Sequence, residues 1–206
     1  MAGVPNRDRR AERREATRQE ILAAAWEVAR QNGIAGLTLR EVALRVGMQP
    51  PSLYSHFESK NAIYDAMFAQ GWQQAIDHFA VAGARLPADP RRRLEYIATT
   101  FFEFATADSA RYLLLNVRVL PDFTPSAEAY AVAVECFGQL RRALRSIGIT
   151  RNGDLDVFTS LLTGLVSQQQ ANEPGGTRWR RLVPRVMQMY ADQLGLPERS
   201  TQGRKR

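Results

Sequence analysis

Thr38-Leu39-Arg40-Glu41-Val42-Ala43-Leu44-Arg45-Val46-Gly47-Met48-Gln49-Pro50-Pro51-Ser52-Leu53-Tyr54-Ser55-His56-Phe57 is the stretch whose reading decides the fold. Thr38-Leu39-Arg40-Glu41 has the pattern of a capping box, in which hydroxyl and carboxylate each take up an orphan backbone amide. Leu39, Val42, Ala43 and Val46 then recur at helical spacing and stop at Gly47. A helix of about two turns does not survive without tertiary packing, so this one must lie against neighbours. Beyond Gly47, Pro51 suits a first helical turn and keeps Pro50 out of helical dihedrals. Leu53 and Phe57, four apart, face inward, while Ser52, Tyr54, Ser55 and His56 face elsewhere.

Helical spacing continues on both sides of this segment, and no strand alternation persists anywhere. Upstream, Ile21, Leu22, Ala25, Val28 and Ala29 form an apolar stripe that ends at Asn32-Gly33. Downstream, Ser59 caps a helix through Ile63, Met67, Trp72, Ile76 and Phe79, closed by Pro87. Five more helices follow. They open at Asp89-Pro90, at Ser109, at Thr124-Pro125, near Asn152-Gly153, and after the Glu173-Pro174-Gly175-Gly176 turn. Pro184 lies inside the last and must either kink it or mark its true start. The chain is therefore expected to be all-α with about nine helices.

Two short helices joined at a glycine and framed by longer ones describe a helix-turn-helix, whose second helix enters the DNA major groove. The run Ile21-Leu22-Ala23-Ala24-Ala25, Gly33, Thr38-Leu39-Arg40-Glu41-Val42-Ala43, Gly47, Leu53-Tyr54-Ser55-His56-Phe57 and Ser59-Lys60 resembles the DNA-binding domain of the TetR (tetracycline-repressor, AcrR-like) family of bacterial regulators. The resemblance runs from about Thr17 to Met67 and implies Thr38, Tyr54, His56 and Lys60 as phosphate contacts. It puts Gln49, Pro50, Pro51, Ser52 and Ser55 at base-facing positions, with Arg40 reaching the groove from the preceding helix. Gln49 suits adenine and the prolines suit thymine methyls; Arg40 is the candidate for guanine. On its own chemistry, Tyr54 reads equally as a core ring with a polar tip. Asn61 and Ala62 depart from the family by leaving the next helix without an acidic first turn.

The expected organisation is a flexible basic arm at 1–16, a helix-turn-helix domain at 17–66, a ligand-binding and dimerisation domain at 67–195, and a disordered tail at 196–206. Trp72, Phe101, Tyr112, Asn116, Tyr130 and Phe137 are the candidate pocket for a small, largely apolar effector, which the resemblance implies. The last two helices are apolar on too many sides for one buried face. Phe158, Leu162, Leu165, Trp179, Val183, Val186 and Tyr190 are therefore the candidate homodimer interface. Implied by the same resemblance is a repressor that binds a palindromic operator as a dimer and is released by its effector. The alternative is an activator or chromosome-organising protein without an inducer.

Composition agrees with this reading and narrows the rivals. The net charge is +7, and residues 1–60 carry ten Arg or Lys against seven Asp or Glu. That balance suits a polyanionic partner. Cys136 is the single cysteine, so an intrachain disulfide cannot form. With no apolar leader at Met1–Arg18 and no membrane-length apolar run, a cytoplasmic, nucleoid-associated location is expected. His56 and His78 are the only histidines, there is no phosphate-cradling glycine loop, and Asp154 and Asp156 face different ways. Neither an enzyme nor a cofactor or metal site is expected.

Overall fold

The computed structural model describes residues 6–197, with side chains from Arg9 onward. Among these residues there are nine α-helices and no strand: α1 (Asn6–Asn32), α2 (Leu39–Val46), α3 (Pro50–Leu53), α4 (Lys60–Gly83), α5 (Pro90–Thr106), α6 (Ser109–Asn116), α7 (Ala127–Arg145), α8 (Asn152–Asn172) and α9 (Val183–Gln193). The helix boundaries follow local chemistry. Thr38 is the N-cap of α2, and its side chain accepts from the Glu41 amide. The Glu41 carboxylate accepts from the Thr38 hydroxyl and from Asn32 Nδ2, so it ties the cap to the end of α1. Gly47, at φ +73°, turns the chain so that its own amide and that of Met48 close on the carbonyls of Leu44 and Ala43. Only glycine adopts that left-handed geometry without a Cβ penalty.

Several expectations change. Residues 6–16, expected as a flexible arm, continue α1 upstream. Asn6–Asn32 contains neither glycine nor proline, and its Ala, Glu and Arg are strong helix formers. Pro184 is the second residue of α9, behind a 3-10 turn at Arg180–Leu182, so it starts the helix and does not kink it. There its missing amide leaves no bond unmade. The helix expected from Thr124-Pro125 begins at Ala127, with the Ser126 hydroxyl accepting from the Ala129 amide at 3.1 Å. The start of the expected tail is held in place: Leu196 is buried, and Arg91 donates to the carbonyls of Leu196 and Pro197. The rest of that tail lies outside the described residues.

The chain forms two compact units that do not follow the linear division expected at residue 66. The first comprises the chain up to Trp72 together with Ala110–Val132. Its core holds Ile21, Val28, Leu37, Val42, Leu53, Ile63 and Met67, with α1 against α2 and α2 against α3. Gly71 on α4 is buried where a Cβ would stand 3.1 Å from Leu115, so a missing side chain lets α6 come close.

The second unit comprises Gln73–Ser109 and the chain from Ala133. In it α5 packs on α8 and α9 around Leu94, Phe102, Phe158, Leu162 and Met187. The candidate dimer residues divide between this core and its edge. Phe158, Leu162, Leu165, Val183 and Tyr190 are already buried within one protomer and have almost no apolar area left to bury. Trp179 and Val186 are half-buried.

Candidate nucleic-acid interface

In the helix-turn-helix, α3 is a single turn, prolonged by three tight turns through His56. Gln49 is its N-cap with extended dihedrals, and Pro50 and Pro51 occupy the first helical positions. The amides of Tyr54, Ser55 and His56 bond to the carbonyls of Pro51, Ser52 and Leu53. Leu53 and Phe57, 1% and 4% exposed, anchor the segment. Between these anchors the chain presents Ser52, Tyr54 and Ser55 to solvent, with Tyr54 56% exposed. The tyrosine left open between core and surface is thus a surface residue.

Of the other candidate DNA contacts, Thr38, Arg40, Gln49 and Pro51 are exposed, and Pro50, His56 and Lys60 are half-buried. All ten lie in the first compact unit. The Lys60 ammonium stands 5.3 Å from the ring centroid of Tyr64, and Ser59 caps α4 by accepting from the Ala62 amide. No acidic residue occupies the first turn of α4, so its positive potential is left uncompensated there. Arg45 pairs instead with Glu27 at 3.2 Å and with Gln31, holding α2 to α1.

Two residues are absent from the candidates that sequence reasoning supplies. Arg14 Nη2 donates to the Ser55 carbonyl at 3.3 Å, and Arg18 Nη1 donates to the His56 carbonyl. The Arg18 guanidinium also covers the Phe57 ring at 4.1 Å. Together they grip the C-terminal end of the recognition segment, where carbonyls lack intrahelical partners. A signal for them exists: Arg14 and Arg18 are four apart and continue the inward face of α1 upstream from Ile21 and Leu22. Reading the arginine-rich run as an arm conceals it.

The candidate pocket residues are divided between the two units. Trp72 and Tyr112 are buried in the first unit, whereas Phe101 and Phe137 belong to the second. Asn116 and Tyr130 line a groove of about 700 Å³ in the first unit with Phe68, Leu114, Arg118 and Phe123. Beneath it, Tyr64 is buried and its hydroxyl, pushed up to about 12 by desolvation, donates to the Ile34 carbonyl at 2.8 Å. Among the described residues no group of three or more His, Cys, Asp or Glu could hold a metal, and no helix is long and apolar enough to cross a membrane.

Comparison with known proteins places this geometry. Residues 21–67 match the profile of bacterial regulatory proteins, tetR family. The chain is 35% identical over 106 residues to the HTH-type transcriptional activator FasR of Mycolicibacterium smegmatis, spanning 50% of this chain and 46% of that one. It is 40% identical over 50 residues to the class D tetracycline repressor protein of Escherichia coli, covering 24% and 23%. The chain thus spans less than half the length of these curated relatives. Among solved structures, a bacterial regulatory protein in the tetR family from Rhodococcus RHA1 shares the fold with a TM-score of 0.63 at 18% identity, over 88% of this chain and 98% of that one. The transcriptional regulator FadR from Bacillus subtilis, in complex with stearoyl-CoA, does so with 0.60 at 16%, over 84% and 96%. The turn glycine, the capped second helix and the Leu-Tyr-Ser-His-Phe segment fall inside the matched residues, so residues 21–67 carry the DNA-binding domain of bacterial regulatory proteins of the tetR family.

Proposed function

We propose that this regulator binds a palindromic DNA operator as a homodimer and represses transcription until a small, largely apolar effector releases it. The observation that carries the reading is the recognition segment: Leu53 and Phe57 are buried while Ser52, Tyr54 and Ser55 are exposed between them. That alternation directs hydroxyls outward from a rigid base, as direct readout of base edges and phosphates requires. Arg40 and Gln49 supply the base-reading groups, and Thr38, Tyr54, His56 and Lys60 the phosphate contacts. Repression follows the tetracycline repressor relatives. Activation is the second reading, supported by the relative described as an activator, whose match extends over 106 residues.

A dimer is needed because half-sites one helical turn apart demand a two-fold protein. With the core residues removed from the interface, the apolar side chains still available on α8 and α9 are Val157 and Met189, 49% and 63% exposed, beside half-buried Leu161 and Val186. We place the dimer contact there. Met189→Asp should yield a folded monomer in sedimentation; an unchanged dimer would move the interface elsewhere.

The deciding experiment selects bound duplexes from a random pool with the whole chain, then repeats binding with Arg40→Ala and Ser52→Ala. A two-fold symmetric site, with discrimination lost at defined base pairs in each variant, supports the reading. No preference over competitor duplex at low salt would overturn it.

A further inference from the structure

The second unit carries a concentration of positive charge that its own packing does not use. Residues 85–93, around the start of α5, hold four arginines and one acid, Asp89; residues 138–151, around the end of α7, hold four arginines and no acid. The two stretches meet in space. Arg93 donates from Nη1 to the Ser146 hydroxyl at 3.1 Å and from Nε to the Pro87 carbonyl at 2.7 Å. Ser146 directly follows Arg145, and its amide bonds to the Arg142 carbonyl at 3.1 Å. The last turn of α7 therefore stands against the first turn of α5.

Part of this charge is committed to the fold. Arg91 holds Asp192 and the Leu196 carbonyl, Arg93 makes the joint, and Arg151 pairs with Asp154 at 2.9 Å. Asp89 is committed as well, since its carboxylate caps α5 by accepting from the Arg92 amide at 2.8 Å. Arg92, Arg141, Arg142 and Arg145 remain: they are exposed, and among the described residues their guanidinium groups have neither a carboxylate nor a hydrogen-bond partner. Local electrostatics opposes that arrangement. Arg92 sits in the first turn of α5, at the positive end of the helix dipole, and Arg141 and Arg145, four apart, repel along one face. The α7 dipole favours cations in its last turn, which accounts for Arg142 and Arg145 but not for Arg92 facing them across the joint.

We propose that this joint between α5 and α7 is a second, sequence-independent contact for the phosphate backbone of a DNA duplex, made by Arg92, Arg141, Arg142 and Arg145 and separate from the helix-turn-helix. It goes beyond the operator reading and does not rest on it. A duplex backbone supplies closely spaced negative charge, which relieves the repulsion among the four, and guanidinium groups bind phosphate oxygens in pairs. The surroundings decide against other polyanions. No aromatic side chain occurs in residues 85–93 or 138–151, so the bases of a single strand would find nothing to stack on. None of the exposed large hydrophobic side chains falls in these stretches, so a protein partner would find no apolar anchor. A duplex needs neither, because contacts to its backbone are polar and carry no sequence information.

The test uses the whole chain with its helix-turn-helix contacts weakened by Tyr54→Ala and Lys60→Ala, titrated with a random-sequence duplex over a range of salt. Binding should persist at low salt. Adding Arg92→Gln, Arg141→Gln, Arg142→Gln and Arg145→Gln should weaken it at least about tenfold and lower the slope of log affinity against log salt by about 3, since each phosphate contact contributes about 0.9. Arg92→Gln alone should remove about one unit of slope. All four side chains are exposed and unpaired, so the urea midpoint should not fall; if it does, the Arg92→Gln chain carries the comparison by itself. No binding in the weakened background, or a slope that the substitutions leave unchanged, would overturn the proposal. Poly-glutamate that displaces the duplex more effectively than unlabelled duplex of equal charge would also overturn it, in favour of an acidic protein partner. If duplex selection yields no preferred site, the operator reading fails instead, and the slopes on random duplex still decide this contact.

Discussion

The guanidinium of Arg18 lies 4.1 Å from the centroid of the Phe57 ring and donates to the carbonyl of His56. One side chain of α1 thus covers the buried anchor of the recognition segment and closes its C-terminal end. The segment needs this support. A single helical turn has little stability of its own, and side chains that read bases must be held within a fraction of an ångström.

Arg18→Met keeps the aliphatic stem and removes both the stacking charge and the donor. Stability should fall by about 1 kcal/mol, since the group is partly exposed. Affinity for the selected duplex should fall about tenfold, while affinity for random duplex and the salt slope change little. A slope lowered by about one unit would show instead that Arg18 contacts phosphate.

Gly47→Ala forces a side chain into φ +73° at the turn between α2 and α3. No atom lies within 4 Å of the added Cβ, so the penalty is backbone strain alone, about 1–2 kcal/mol. Chemical denaturation reads this directly. A variant as stable as the parent would mean that the turn is not left-handed.

Tyr64→Phe leaves the Ile34 carbonyl without its 2.8 Å donor in a buried setting. The loss should be about 1–3 kcal/mol, the penalty of an unsatisfied buried acceptor. Amide exchange in the segment between α1 and α2 should quicken, which a general loss of core packing would not produce locally.

Alkaline pH should destabilise the protein in two steps. Burial, with Glu135 nearby as a smaller influence, pushes the Cys136 thiol from 9.0 up to about 11. Burial likewise pushes Tyr64 and Tyr190 from 10.0 up to about 12. A raised folded-state value means that the native protein holds its proton more tightly than the unfolded chain. The stabilisation is therefore complete below about pH 9, declines between 9 and 11 through Cys136, and declines further towards 12 through the tyrosines. One group contributes a slope of at most about 1.4 kcal/mol per pH unit. Urea midpoints from pH 8 to 11 test this, and Cys136→Ala should delay the onset to about pH 10. A flat profile would contradict it.

Local chemistry makes most of the fold legible in the sequence. The Thr38 cap, the Gly33 and Gly47 turns, the Asp89-Pro90 start and the buried pair Leu53 and Phe57 each depend on residues within a turn or two of one another, so periodicity and dihedral preference suffice to read them. Three features come only from packing across the chain. Arg14 and Arg18 reach residues about forty positions away, and nothing near them in sequence says that they find carbonyls there and not solvent. Phe158, Leu162, Val183 and Tyr190 are apolar enough for an interface or a core, and only the packing of α5 on α8 and α9 decides for the core. Asp65 meets Ser126 across sixty-one residues, a contact on which helical spacing is silent. Sequence determined which faces are apolar and where the backbone turns, because those are properties of neighbouring residues. Tertiary structure decided which apolar face meets which, because that depends on how separate helices compete for the same buried surface.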